Sequence, residues 1–359
     1  MPLDLEADLA DLFRTIVDIE SPSGAETHLA DLVFEALFGY PHLEVIRDGD
    51  CVVARTTLGR PQRVVVAGHL DTVPVADNLP SRLVDTPEGP CLVGRGTVDM
   101  KGGVAVALQL AAQLTEPASD VTWIFYDHEE VSADLNGLGR LARRRPDLTV
   151  ADFAVLMEPT SARIEGGCQG TCRIVITAEG KAAHSARSWV GSNAIHGLAG
   201  VLERLVAYQA REIEVDGLVY REGLNAVRIS GGVAGNVVPP SAQVEINYRF
   251  APDKSPAEAV AELRRVFPGY HFEVIDMSPA ARPGLDRPIA SSFVTAIGGP
   301  ALPKYGWTDV SRFSALGVPA VNYGPGNALK AHADDEFCPL AELTSCADGL
   351  RRWLTEGNS

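Results

Sequence analysis

Four short, mostly apolar runs constrain this chain more than any other feature: VVVAG (64–68), VTWIFY (121–126), FAVLM (153–157) and PAVNY (319–323). Runs of that length without polar alternation belong to strands buried on both faces. An apolar helical stretch at 101–114 separates the first two, and two amphipathic helices open the chain. Leu5, Leu9, Leu12, Phe13 and Ile16 share one helical face over 5–16, as do Leu29, Leu32, Val33 and Leu37 over 27–38. Strand alternating with helix predicts an α/β domain with a mostly parallel sheet and helices on both faces.

Between about 166 and 281 the pattern changes. Strands are expected at 171–178, 224–232, 242–250 and 271–277, and helices at 192–209 and 256–267. That β-α-β-β-α-β order predicts a ferredoxin-like module inserted into the main domain. Ser192 and Asn193 are cap candidates for its first helix, and Ser255-Pro256 with Glu258 for its second. The expected division is therefore 1–165, 166–281 and 282–359, the outer parts forming one domain. At 359 residues, two domains is also what length predicts.

The net charge of −16 excludes a nucleic-acid backbone as the expected partner. The one basic run, Arg140 with Arg143 to Arg145, reads as a solvated helix end, where cations complement the dipole. Gln109 and Gln113 interrupt the longest apolar stretch, so no membrane span is expected. The acidic start, MPLDLEADLADLF, lacks the features of a signal peptide. Six cysteines without ladder-like spacing, among them Cys168 and Cys172, read as reduced thiols, and the cytoplasm is the expected location.

Chemically competent residues follow the strand runs in order. His69 ends the first, Glu129 and Glu130 follow the second, Glu158 ends the third, and His332 lies after the fourth. In open α/β sheets ligands bind beyond the carboxyl ends of the strands. His69 and Asp71 can form an imidazole–carboxylate pair that leaves the other ring nitrogen for a metal, although an isolated H-x-D is more often structural. Asp99 lies in GRGTVDMKGG just before a helix. Its carboxylate could bridge two cations, cap the helix or, less plausibly for a loop lacking the third glycine, belong to a dinucleotide turn. Of the adjacent Glu129 and Glu130, one can bind an ion while the other takes a proton from water. His128 is a rival ligand ranked below His332. Asp99, Glu130 and Glu158 with one hydroxide would neutralise two divalent ions.

These ordered motifs resemble the di-zinc amidohydrolase and metallopeptidase family that includes aminoacylase, acetylornithine deacetylase and glutamate carboxypeptidase. The resemblance spans nearly the whole chain. It implies two Zn2+ per chain, with Co2+ as a substitute: His69, Asp99 and Glu158 on one, Asp99, Glu130 and His332 on the other. It further implies Glu129 as general base and acid, and Asp71 orienting His69. In this family the inserted module dimerises and brings a His over the neighbouring subunit's site. GKAAHSARSWVGSNAIH (180–196) looks like that segment, which makes His184 the candidate and a homodimer the expected assembly. GGVAGNVVPP (231–240) resembles a substrate-contacting turn and implies Asn236.

Within the family, GGVAGNVVPP, NYRF (247–250) and TDVSRF (308–313) look most like the succinyl-diaminopimelate desuccinylases of actinobacterial type. A substrate with several carboxylates needs guanidinium partners, for which Arg249 and then Arg312 are the choices, with Thr308 as a neutral donor. The chain departs from other desuccinylases at GCQGT (167–171), where an arginine-rich GRRGS-like stretch is their pattern. The expected function is thus zinc-dependent hydrolysis of an N-succinyl amide, yielding succinate and a diamino diacid. An acetylornithine deacetylase, aminoacylase or dipeptidase is the alternative within the family, and a metal-blind binding protein the alternative outside it.

Overall fold

The computed structural model describes residues 2–87 and 89–356. The chain forms two compact units: Met1–Gly166 with Pro283–Leu302 and Thr308–Ser359, and Gly167–Arg282 with Pro303–Trp307.

The first unit is an α/β domain on a mixed eight-stranded sheet. In spatial order its first seven strands are Glu44–Asp48, Cys51–Arg55, Asp120–Tyr126, Arg63–His69, Phe153–Leu156, Ala320–Asn322 and Glu165–Gly166. The four apolar runs are its centre. Arg63–His69 pairs in parallel with Asp120–Tyr126 and with Phe153–Leu156, which pairs in parallel with Ala320–Asn322. Every residue of Asp120–Tyr126 is buried, as a strand covered on both faces requires. The flanks run antiparallel, through the hairpin of Glu44–Asp48 with Cys51–Arg55 on one side and Glu165–Gly166 on the other. Glu44–Asp48 is only half buried, so it lacks the continuous apolar signature that marks the central strands.

The helix Lys101–Gln113 is buried from Lys101 to Ala112 and packs against Leu9–Val17 and Leu340–Glu356. The first helix starts later than its periodicity suggests: Asp8 caps it, accepting from the Ala10 amide at 2.9 Å, and Leu5 is buried in the preceding turn. Phe293 and Trp353, with ring centroids 4.9 Å apart, also touch Phe153, tying the late segments onto the sheet. Gly103 sets how closely the central helix approaches the strand ends. A Cβ there would lie 2.3 Å from the Met157 carbonyl oxygen. Gly103→Ala is expected to destabilise the fold by about 1–3 kcal/mol through overpacking. Urea denaturation checks this, and an unchanged midpoint would mean that the helix can shift to make room.

The second unit has a four-stranded antiparallel sheet in the order Gly223–Gly231, Ser241–Phe250, Gly170–Glu179, Phe272–Ser278. Burial alternates strictly along Ser241–Phe250, so one face is covered. Ala194, Leu198 and Val201 from the first helical region and Ala259 and Leu263 from the second cover it. The strand and helix order is the expected ferredoxin-like one. The helix expected at 192–209 is broken, however, into Ala194–Gly197 and Ala199–Ala207 at Leu198, with Asn193 capping the first piece. The hairpin of Glu212–Val215 with Leu218–Arg221 is an addition absent from the sequence reading. Ser255 and Glu258 form the full capping box of Pro256–Val266.

All six cysteines are buried free thiols. Among the described residues, no helix is long and apolar enough to cross a membrane.

Candidate metal centre

The parallel strands of the first unit deliver their terminal residues to one edge of the sheet. His69 is the last residue of Arg63–His69, and its buried ring places Nε2 3.0 Å from Asp99 Oδ1. Its Nδ1 lies 2.9 Å from the carbonyl oxygen of Asp71 and 3.5 Å from the Asp71 carboxylate. Asp99 does not cap the following helix: Met100 occupies the cap position and offers no side-chain hydrogen bond. The loop reaches Asp99 through Gly96, at φ +80°, where a Cβ would meet Thr72 at 2.8 Å.

Glu129 and Glu130 follow Asp120–Tyr126, and their backbone is held by Asp71. Its Oδ1 accepts from the Glu129 amide at 2.9 Å and its Oδ2 from the Glu130 amide at 3.0 Å. Ser23 donates its hydroxyl to the same carboxylate at 2.6 Å. Asp71 thus braces the pair of glutamates besides standing beside His69, and Ser23 is a support that the motifs did not signal. The rival ligand His128 is turned away, with Nδ1 2.8 Å from Asp127 and 3.3 Å from Glu26. His332, in a left-handed conformation at φ +65°, brings Nε2 to 2.9 Å from Glu130 and 3.5 Å from Asp99. Glu158 is buried beyond the end of Phe153–Leu156.

Three overlapping groups place potential ligand atoms within 4.8 Å of one another: His69, Asp99 and Glu158; Asp99, Glu130 and His332; and His69, Glu129 and Glu130. The first two share Asp99, as a bridging carboxylate would.

Electrostatics tests whether cations fit. Burial opposes charge on His69, yet its contacts with Asp71 and Asp99 outweigh that and raise its pKa well above the usual range. His332 is raised to about 10 by hydrogen bonds to Asp99 and Glu130. Burial pushes Asp71 up, but His69, Ser23 and the Glu129 amide draw it down to about 2. Glu129 moves the other way. Burial lifts its carboxyl well above the ordinary value, His69 opposes, and Asp309, Glu158 and Glu130 add to the rise. A cluster that pulls protons onto two imidazoles and drives one carboxyl towards neutrality holds excess negative charge, which two divalent cations would balance. Its nitrogen and oxygen donors suit zinc. The first unit therefore carries a candidate dinuclear site of the di-zinc kind.

Other residues singled out in the sequence lie elsewhere. His184, Asn236 and Arg249 belong to the second unit. There, Ala183–His184 pairs with Val237–Val238, the His184 Nδ1 accepts from the Ala186 amide at 3.1 Å, and the Asn236 carbonyl accepts from the Ser185 amide at 2.8 Å. Arg249, whose pKa is lowered by burial, lines a cavity of about 480 Å³ with Gln169, Arg221, Glu222, Gly223 and Tyr305. In the first unit, Thr308 donates to Asn322 at 2.8 Å and Arg312 pairs with Asp309. Asp309 is fully buried and accepts from Asn136 at 2.9 Å. Tyr126 packs edge-on to His69, ring centroids 6.1 Å apart. No motif signalled Asp309 or Tyr126, because one lies inside TDVSRF between the two residues chosen there and the other ends an apolar strand run.

The model of peptidase family M20/M25/M40 matches residues 65–356. A Mycobacterium tuberculosis protein named as a candidate succinyl-diaminopimelate desuccinylase, DapE, is 53% identical over 355 residues, covering 98% of this chain and 99% of its own length. The succinyl-diaminopimelate desuccinylase of Corynebacterium glutamicum is 46% identical over 365 residues, covering 99% of this chain and 98% of its own. A tripeptidase from Staphylococcus aureus shares the fold, with a TM-score of 0.78 at 20% identity and 99% of each chain covered. A match over residues 65–356, together with relatives aligned almost end to end, establishes that this chain belongs to peptidase family M20/M25/M40.

Proposed function

We propose that this metal-dependent hydrolase cleaves the amide of N-succinyl-L,L-diaminopimelate, releasing succinate and L,L-diaminopimelate. The observation that carries this reading is the 53% identity to a desuccinylase-named relative over 98% of the chain, with the metal-ligand groups assembled. His69, Asp99 and Glu158 would hold one zinc ion, and Asp99, Glu130 and His332 the other. When bound, such a pair polarises a carbonyl and makes water a nucleophile at neutral pH. Glu129 accepts one proton from the attacking water and returns it to the amide nitrogen as the C–N bond breaks. Burial raises its pKa, which makes the carboxylate a stronger base than an exposed glutamate.

Asp71 keeps Glu129 and Glu130 in place through their amides while flanking His69. His184 would steady the developing oxyanion from a neighbouring subunit of a homodimer. Asn236, Arg249, Thr308 and Arg312 would serve the substrate's polar groups, the two arginines its carboxylates. The six free thiols are consistent with a reducing compartment, and we place the reaction in the cytoplasm.

A second reading, hydrolysis of another acylated amino acid, is favoured by one feature: GCQGT offers no guanidinium, and Gln169 instead donates to the Arg221 carbonyl at 2.6 Å. Initial rates of the zinc-loaded protein on N-succinyl-L,L-diaminopimelate and N-acetyl-L-ornithine separate the two. The expected kcat/KM ratio is at least about 10²-fold in favour of the succinyl compound, with activity lost to chelator. A preference for the acetyl compound would overturn the substrate but retain the hydrolase.

A further inference from the structure

Asp99 and His332 approach each other from loops. Asp99 stands two residues before the helix Lys101–Gln113, and His332 follows the short turn Ala328–Lys330 with a left-handed backbone. Neither segment is paired into the eight-stranded sheet, unlike His69, which ends one of its strands. Yet the His332 ring reaches 3.5 Å from Asp99.

The tie between the two loops is Glu336, which is 1% exposed. Its Oε1 accepts from the amides of Val98 at 2.8 Å and Asp99 at 3.2 Å, and its Oε2 accepts from Arg95 Nη1 at 3.0 Å. Its own carbonyl accepts from the Gly94 amide at 3.0 Å. Arg95, 3% exposed, closes the other side by donating to the carbonyls of Ala333 at 3.2 Å and Pro74 at 3.1 Å. One carboxylate and one guanidinium, both buried, therefore staple residues 94–99 to residues 333–336. A buried charge pair of this kind persists only with its hydrogen bonds filled, and here both groups are engaged with backbone as well as with each other.

We propose that Glu336 is a positioning residue for the metal position assigned to Asp99, Glu130 and His332. By gripping the Asp99 amide while sitting four residues from His332, it sets the separation of those two side chains. Arg95 holds Glu336 in the required orientation. This inference rests on the two-metal reading. Asp99 is shared, so both ions feel its grip, but they depend on Glu336 unequally: His69 is set by a sheet strand, whereas His332 as well as Asp99 is set by the staple.

The test is stepwise zinc affinity, measured by competition with a chromophoric chelator, in the wild type, Glu336→Gln and Arg95→Lys. Glu336→Gln turns an amide NH2 towards the Arg95 donors, and Arg95→Lys loses the fork that spans Glu336, Ala333 and Pro74. In each variant one of the two stepwise affinities is expected to stay within about threefold of wild type and the other to fall about 10–100-fold. Thermal melts of the metal-free proteins check folding, and where Glu336→Gln fails to fold, Arg95→Lys decides. Unchanged affinity for both ions, or an equal loss of both, would overturn the inference. A wild type that binds one ion would overturn the two-metal reading beneath it.

Discussion

Glu129→Ala is expected to lower kcat by about 10²–10⁴-fold while both zinc ions stay bound and KM changes little. Glu129 has two potential roles by position alone. It groups with His69 and Glu130 as a ligand could, and it has the raised pKa of a proton carrier. Metal content separates them. A ligand's removal would cost an ion, whereas a base's removal costs the proton transfer and leaves the ions in place. Burial is the first cause of the raised pKa, with the nearby charges of Asp309, Glu158 and Glu130 adding to it, so the carboxylate is a stronger base than an exposed glutamate. Steady-state kinetics with metal analysis on the same preparation is the measurement. Retained turnover would remove Glu129 from the proton-transfer role, and loss of one ion would make it a ligand.

Asp99→Ala has the other large expected effect. Asp99 belongs to both ligand groups assigned to the ions, so its removal is expected to leave fewer than about one ion per chain and to reduce kcat/KM by at least about 10³-fold. Glu158 and His332 each belong to one group, and substituting either is expected to spare one ion. Equilibrium dialysis followed by metal analysis distinguishes the patterns. Two ions retained in Asp99→Ala would show that the carboxylate is not shared. The substitution also removes one of the partners that raise the pKa of His69 and His332, so with metal removed from both proteins the two imidazoles should titrate at lower pH in the variant than in the wild type.

Much of the fold was legible because its central strands carry their own burial code. VVVAG and VTWIFY are covered on both faces, so apolar residues fill every position but Thr122 and the runs stood out. The capping box at Ser255 and Glu258 was readable for a similar reason: its partners are three residues apart and the chemistry is local. The hairpin Glu44–Arg55 escaped because its outer strand is half exposed and shows no such code. The break at Leu198 escaped because an apolar residue at a helix junction keeps helical periodicity while the backbone path changes.

Local sequence by itself determined the candidate metal ligands and their order along the chain. His69, Glu129, Glu130 and Glu158 follow apolar runs, and a parallel sheet must deliver the ends of such runs to one edge. Only the tertiary structure decided how those side chains are held and charged. Arg95 meets Glu336 across 241 residues and Asn136 meets Asp309 across 173. Asp71 reaches the amides of Glu129 and Glu130 from 58 and 59 residues away. No periodicity or spacing encodes such partners, because a hydrogen bond depends on a few tenths of an ångström and on exclusion of water, and both exist only once the core has closed around the loops.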